Sequence, residues 1–296
     1  MKPICFLIDS EFMKKIRLAT RGSPLALKQT QMVIEYLSAR IVDADFEIVE
    51  IKTSGDKNQK LSLSADGGTG LFTKEIENAL LNNEADLAVH SAKDLPSKIP
   101  AKLALSACLP RDAWRDVLVL REGVDIPSLI ASSSPRRRSQ LKKMFPSAVW
   151  TDLRGNVHTR LSKIVSGSAE ATILSEAGLL RLGIESFEGV VFKPIKVDVC
   201  VPAVGQGIIA LESRIEDFEF FKQFTDVKAM EALALEREFL RSLGGGCQSA
   251  YAAYYDGKSF RFFHENSGHQ DVDMVSLKTL EEKLAMVKEL ASGLVK

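Results

Sequence analysis

Long hydrophobic runs are missing from this chain of 296 residues. No apolar stretch approaches the roughly 20 residues that cross a bilayer as a helix, so no membrane association is expected. Cysteine is sparse: Cys5, Cys108, Cys200 and Cys247 stand apart with no CxxC spacing. That argues against a zinc site, a dithiol redox motif or a secreted disulfide framework, and no metal is expected. Charge of one sign is not in excess either, since 39 Lys plus Arg meet 39 Asp plus Glu. Nothing global therefore draws nucleic acid, and Arg136-Arg137-Arg138 lacks the interleaved aromatics on which bases stack. Neither a GxxxxGK[ST] run nor a GxGxxG turn between strand and helix is found. At the start, the apolar patch Ile4 to Ile8 runs at once into Asp9 and Glu11 without a small-residue cleavage pattern. A cytoplasmic, reduced protein is the expectation, with residues 1–12 an extension outside the fold.

What is present is an ordinary globular composition, 45% apolar and 26% charged, in a chain long enough for two or three domains. Ile16 to Ala19 reads as a strand and Thr20-Arg21-Gly22 as a turn. Ser23-Pro24 opens a helix, Ser at the N-cap and Pro at the first helical position, with Leu25, Gln29, Met32, Val33, Tyr36 and Leu37 on one stripe. Phe46 to Ile51 predicts a second strand, and Phe72, Ile76, Ala79 and Leu80 a second helix. Asp86 to Val89 is a buried strand that ends in His90-Ser91-Ala92-Lys93-Asp94-Leu95-Pro96. The pattern then recurs: strand at 129–131, Ser before Pro135 at a helix start, strand at 149–153, helix at 157–165 closed by Gly167, strand at 171–174, and a helix closed by Gly183. Ile208 to Leu211 is expected to return to the first sheet. A helix from about Asp226 leads to Leu243, and the remainder alternates short strands with a final helix from Leu277 to Leu290. The fold class is α/β, as two strand-helix units whose helix N-termini favour anions in a cleft, followed by a small third domain.

Chemistry is concentrated in a few places. Arg21, Arg136, Arg137 and Arg154 lie just after strands or at helix openings, where α/β sheets build ligand crevices. Guanidinium suits bidentate carboxylate or phosphate recognition, so several together imply a polyanionic ligand. Asp94 follows a buried strand, and in an arginine-rich crevice its carboxylate can stabilise a transient cation. The competing reading is an ion pair with Lys93. Asp56 sits in a Gly-Asp turn; Phe72 serves a flat ligand or the core. His90, with no Ser or Cys nucleophile nearby, is read as satisfying backbone groups. Cys247 follows Gly244-Gly245-Gly246, and a glycine run is costly to order unless close approach or mobility is needed. It reads as an attachment point.

The segments Ala19-Thr20-Arg21-Gly22-Ser23-Pro24-Leu25-Ala26-Leu27, Gly70-Leu71-Phe72-Thr73-Lys74-Glu75, His90-Ser91-Ala92-Lys93-Asp94-Leu95-Pro96, Pro110-Arg111-Asp112-Ala113, Leu153-Arg154-Gly155-Asn156-Val157, Pro202-Ala203-Val204-Gly205-Gln206-Gly207 and Gly245-Gly246-Cys247-Gln248 stand in the order seen in one family. From about residue 16 to 250 the chain resembles the porphobilinogen deaminase (hydroxymethylbilane synthase) family. The resemblance implies two α/β domains like those of periplasmic solute-binding proteins, with a cleft between them, plus a small third α+β domain. The expected division is 13–109 with 205–224, 110–204, and 225–296.

The resemblance further implies a dipyrromethane cofactor held covalently by Cys247 through a thioether. Asp94 would be the catalytic carboxylate. Lys93, Asp94, Arg136, Arg137, Arg154, Arg160 and Ser133 would contact the cofactor. Arg21, Ser23, Phe72, Arg154, Arg181 and Asp56 would serve the substrate, porphobilinogen. Four units would be condensed with loss of ammonia and the linear tetrapyrrole released by hydrolysis, to be passed to uroporphyrinogen-III synthase by a monomeric enzyme. Thr69 stands where the family usually has lysine, and Ser249-Ala250 where it has Val-Pro. The rival from another class is a non-catalytic polycarboxylate-binding protein on the same scaffold, which would need neither Cys247 nor Asp94.

Overall fold

The structure is a computed structural model, described here for residues 15–53, 73–244 and 250–294. Strand β1 (Lys15–Arg21) leads into helix α1 (Pro24–Ser38), where the Ser23 hydroxyl accepts from the Ala26 N–H and Pro24 supplies the fixed φ of a first helical residue. Strand β2 (Asp45–Ile51), helix α2 (Lys74–Leu81) and strand β3 (Leu87–Ser91) follow; a 3₁₀ turn at Ala92–Asp94 precedes β4 (Leu103–Cys108). Next come β5 (Asp116–Arg121), β6 (Leu129–Ala131), α3 (Pro135–Leu141), β7 (Val149–Thr151), α4 (Val157–Val165), β8 (Ala171–Ser175), α5 (Glu176–Arg181) and β9 (Val190–Pro194). Strand β10 (Ile209–Arg214), helices α6 (Phe218–Lys222) and α7 (Val227–Ser242), strands β11 (Tyr251–Tyr255), β12 (Ser259–His264) and β13 (Gly268–Asp273), and helix α8 (Leu280–Ser292) complete it.

Two compact units result. The first holds a five-stranded sheet of order β2-β1-β3-β10-β4, in which β1, β2 and β3 are parallel and β10 is antiparallel to both neighbours. The side-chain period of two sorts this sheet cleanly. Ile16, Leu18, Leu87, Val89, Ile209 and Leu211 share one core with Val33 and Leu37 of α1. Ala19 and Ala88 pack on the opposite face with Ile76, Ala79 and Leu80 of α2. Burial on both faces explains why β3 and β10 read as nearly continuous apolar runs.

The second unit repeats the order as β7-β6-β8-β5-β9, with β5 as its inserted antiparallel strand. Ser134 caps α3 and Asn156 caps α4, each accepting from the N–H three residues on. The antiparallel meander β11-β12-β13 belongs to the same unit and packs Phe260 and Phe262 against Phe239 of α7, with ring centroids 5.7 and 4.9 Å away. A buried carboxylate, Glu236 of α7, accepts from the backbone N–H groups of Gly205 and Tyr255 at 2.7 and 2.9 Å. Sequence reading passed over β4, β5 and β9, and β4 and β9 are sheet edges that need no helix beside them in the chain.

Gly207 is held at φ +86°, and a Cβ there would lie 2.8 Å from the carbonyl oxygens of Asp112 and Ala113. Both the left-handed backbone and the clash oppose a side chain. Gly207→Ala is expected to lower stability by at least about 2 kcal/mol, read as the urea midpoint; an unchanged midpoint would mean that this backbone relaxes freely.

Candidate active site

Strands β1 and β3 are adjacent and parallel, so Arg21 and Ser91 leave the sheet at the same edge, its carboxyl edge. There α1 begins, and the 3₁₀ turn carries Asp94 out into solvent. Arg21, Ser23, Gln29, Thr73, His90, Ser91 and Asp94 supply the polar lining of a pocket of about 70 Å³. Gln29, fully within the core stripe of α1, exchanges hydrogen bonds with Ser91: its Nε2 lies 2.9 Å from Oγ, and its Oε1 lies 3.1 Å from it. This fixes the start of α1 against the end of β3. A guanidinium and a helix N-terminus receive carboxylates, while Asp94 offers a charge for a cation or an N–H.

His90 departs from the reading that it satisfies backbone groups. Its Nε2 lies 3.0 Å from Oε2 of Glu212, and both side chains are buried. Glu77 of α2 is buried nearby, and burial, with the neighbouring Glu212 charge, pushes its carboxyl above the ordinary range. Glu212 and Glu77 escaped sequence reading, and Gln29 was read only as part of the α1 stripe. The available signal for Glu212 was a carboxylate directly after the apolar run Ile209-Ala210-Leu211, within the strand.

In the second unit Asp116, at the head of β5, is fully buried and takes Arg136 Nη1 at 2.8 Å and Arg137 Nη2 at 2.7 Å. Gln206 Nε2 and the Cys200 thiol also reach it, at 3.1 and 3.4 Å. Arg136 further donates to the Val201 carbonyl and Arg137 to that of Ile173, at 2.7 and 2.8 Å. Burial alone would raise the Asp116 carboxyl; the two guanidiniums outweigh it and hold the group far below the usual carboxylate range. Burial pushes the Cys200 thiol up to about 12, so it stays neutral and inert. Two cations against one anion leave this cluster with one net positive charge.

The remaining arginines are spread over the same unit. Ser133 Oγ bridges to the backbone of Leu153, accepting from its N–H at 3.2 Å, so the loop before α3 meets the loop after β7. Arg154 follows in that loop and is half-buried; its carbonyl accepts from Lys163 at 3.1 Å. Arg160 donates Nε to the Gly155 carbonyl at 2.8 Å, closing the turn where Gly155 adopts φ +118°. Arg181 is buried, donates to the Gly207 carbonyl at 2.7 Å and faces Asp112 at 3.4 Å. The structure thus gathers Arg21, Ser23 and Asp94 in one pocket and Arg136 with Arg137 in one ion cluster. Phe72, Asp56 and Cys247 lie outside the described residues. Among the described residues no cluster of His, Cys, Asp or Glu is disposed to hold a metal, and no helix is long and apolar enough to cross a membrane.

Fold and site together define an α/β protein with an anion-receptive, acid-bearing pocket at the carboxyl edge of a five-stranded sheet. The chain belongs to the porphobilinogen deaminase family: the family model "Porphobilinogen deaminase, dipyromethane cofactor binding domain" matches residues 16–222. It is 42% identical over 250 residues to a porphobilinogen deaminase of Brevibacillus brevis, covering 82% of this chain and 80% of that one. A porphobilinogen deaminase of a Geobacillus species is 38% identical over 291 residues, covering 95% and 89%. Among solved structures, the periplasmic VFT2 domain of Bordetella pertussis BvgS aligns with a TM-score of 0.44 at 18% identity, covering 73% of this chain and 87% of that one.

Asp116→Asn should be among the most destabilising single changes, by about 3–5 kcal/mol, because it strands two buried guanidiniums. A carboxyl depressed by folding contributes stability that is complete above its unfolded value of about 3.9 and fades as pH falls below it. The gap in urea stability between the two proteins should therefore stay level from about pH 8 to 5 and narrow below about pH 4; a gap that narrows near neutrality would contradict the ionised pairing.

Proposed function

We propose that this chain catalyses the porphobilinogen deaminase reaction: four porphobilinogen molecules are joined head to tail with loss of ammonia, and the linear tetrapyrrole is released by hydrolysis. The observation that carries the reading is the convergence of Arg21, Ser23 and Asp94 on one pocket in a chain of the dipyrromethane-binding family. The donor set fits the cofactor, since carboxylate side chains call for guanidinium and pyrrole N–H groups call for a carboxylate. Bound as a thioether to Cys247, dipyrromethane supplies the free pyrrole carbon onto which the first unit is laid.

In this reading Asp94 accepts a pyrrole N–H hydrogen bond from substrate and stabilises the cation left when ammonia departs, a preorganised charge that acts most strongly where water is excluded. Arg21 and Ser23 hold substrate carboxylates, with Arg154 and Arg181 receiving others, Phe72 beside the reacting ring and Asp56 near it. Lys93, Ser133, Arg136, Arg137 and Arg160 hold the cofactor. Every added ring brings two more carboxylates, so a net positive wall is required. The surplus charge over Asp116 supports that role for Arg136 and Arg137. The wider reading is a cytoplasmic monomer, with residues 225–296 as the domain that bears Cys247 and uroporphyrinogen-III synthase as recipient of the product.

Intact-protein mass tests the attachment: an adduct of two pyrrole units is expected, and it should vanish in Cys247→Ser. An active protein without the adduct would overturn it. Asp94→Ala should keep both adduct and fold yet lower kcat by at least about 10²-fold, measured as ammonia release from porphobilinogen; near-normal turnover would remove Asp94 from its role.

A further inference from the structure

Three buried ionisable side chains lie beneath the Asp94 pocket. Alternation along the strands sends His90 to the same sheet face as Ala88, and Glu212 to the face away from Ile209 and Leu211, so both lie on the face that α2 covers. In register, Ala210 pairs with His90, which makes Glu212 its diagonal neighbour. Glu77 enters from α2, whose first turn, through Thr73 and Ile76, also lines the pocket. Glu77 is 8% exposed, and Glu212 is fully buried. Oε1 of Glu77 and Oε1 of Glu212 have no hydrogen-bond partner. Two buried carboxylates around one imidazole cannot all stay ionised and unpaired without a large penalty. Burial and the neighbouring Glu212 charge push the Glu77 carboxyl above its ordinary range, and His90 opens the cluster to the pocket that Asp94 shares.

We propose that His90, held by Glu212 and with Glu77 behind it, is a proton-relay residue that takes up the proton released at each condensation and returns it to solvent through the pocket. The proposal rests on the deaminase reading. Per cycle, the substrate C–N bond breaks and ammonia leaves with the bonding pair. The terminal pyrrole carbon, itself substrate-derived from the second unit onward, forms the new C–C bond and loses H⁺. Ammonia and that proton together make one ammonium ion, so the step balances once the proton passes, directly or through a carrier, from carbon to ammonia or solvent. Asp94 must be ionised again before it can steady the next cation, so a proton it picks up has to move on. His90 faces Glu212 of β10 at 3.0 Å and Glu77 of α2, and shares the pocket lining with Arg21 of β1 and Asp94.

The test uses the cofactor-loaded enzyme with His90→Gln, Glu212→Gln and Glu77→Gln, all close in shape to the original side chains. Porphobilinogen deuterated at its free α-carbon is the probe. His90→Gln should lower kcat about 10- to 100-fold with KM little changed, lose the acidic limb of the pH profile, and expose a primary isotope effect because carbon deprotonation becomes slow. Glu212→Gln should move that limb to lower pH. The chain has four histidines, so the His90 imidazole is assignable by NMR from its loss in His90→Gln, and in Glu212→Gln it should release its proton at lower pH. Unchanged pH profiles and no isotope effect in folded, active His90→Gln would overturn the relay while leaving the deaminase reading intact. If the unaltered enzyme releases no ammonia from porphobilinogen, the deaminase reading itself fails and the relay with it.

Discussion

The ladder between β3 and β10 is the contact on which the pocket depends. Ile209 to Glu212 pair antiparallel with Ser91 to Ala88, although more than a hundred residues separate them in the chain. That pairing completes the first sheet, buries β3 on both edges, and thereby presents Ser91, the Ala92–Asp94 turn and the end of β1 at one rim. The Ile208 carbonyl accepts from the Ala92 N–H at 3.0 Å, tying the turn that bears Asp94 to the returning strand. Without β10 the carboxylate of Glu212 would not reach His90, and the pocket floor would be an unpaired strand edge.

Charge is handled differently in the two units. In the first, Arg21 and Asp94 remain at the pocket rim while the side chains of Glu77, His90 and Glu212 are buried below it. In the second, Asp116 draws two guanidiniums into the interior and shares itself with a glutamine and a neutral thiol. Such a buried arrangement adds little net stability against an apolar substitute, yet removal of one member is expensive. Its value lies in position: Asp116 links β5 to α3 and, through Arg137 and Arg136, to the carbonyls of Ile173 and Val201.

Much of this architecture was legible in the residues. Ser23-Pro24 and Ser134-Pro135 announced two helix starts, and both serines do cap their helices. Gly167 and Gly183 closed helices with positive φ, and the apolar run after Gly207 did return to the first sheet. The alternation of strand and helix signals along the chain named the fold class. Strands β4, β5 and β9 stayed hidden because their sheet partners are distant in sequence. Sequence also placed Asp94 and Arg21 at strand ends, where a crevice belongs.

By itself the sequence determined which residues could do chemistry: a carboxylate and guanidiniums at strand termini, a cysteine after a glycine run, and a motif order that marks the family. Local spacing carries that information, since capping, turns and strand ends are decided within a few residues. Only the tertiary structure decided what each group meets. Two arginines of one helix turn, expected from sequence to serve a ligand, also meet an aspartate of β5. A lone histidine acquires a glutamate from a strand 122 residues away. Ion pairs and proton affinities depend on distance and desolvation in space, and neither is written in the local order of the chain.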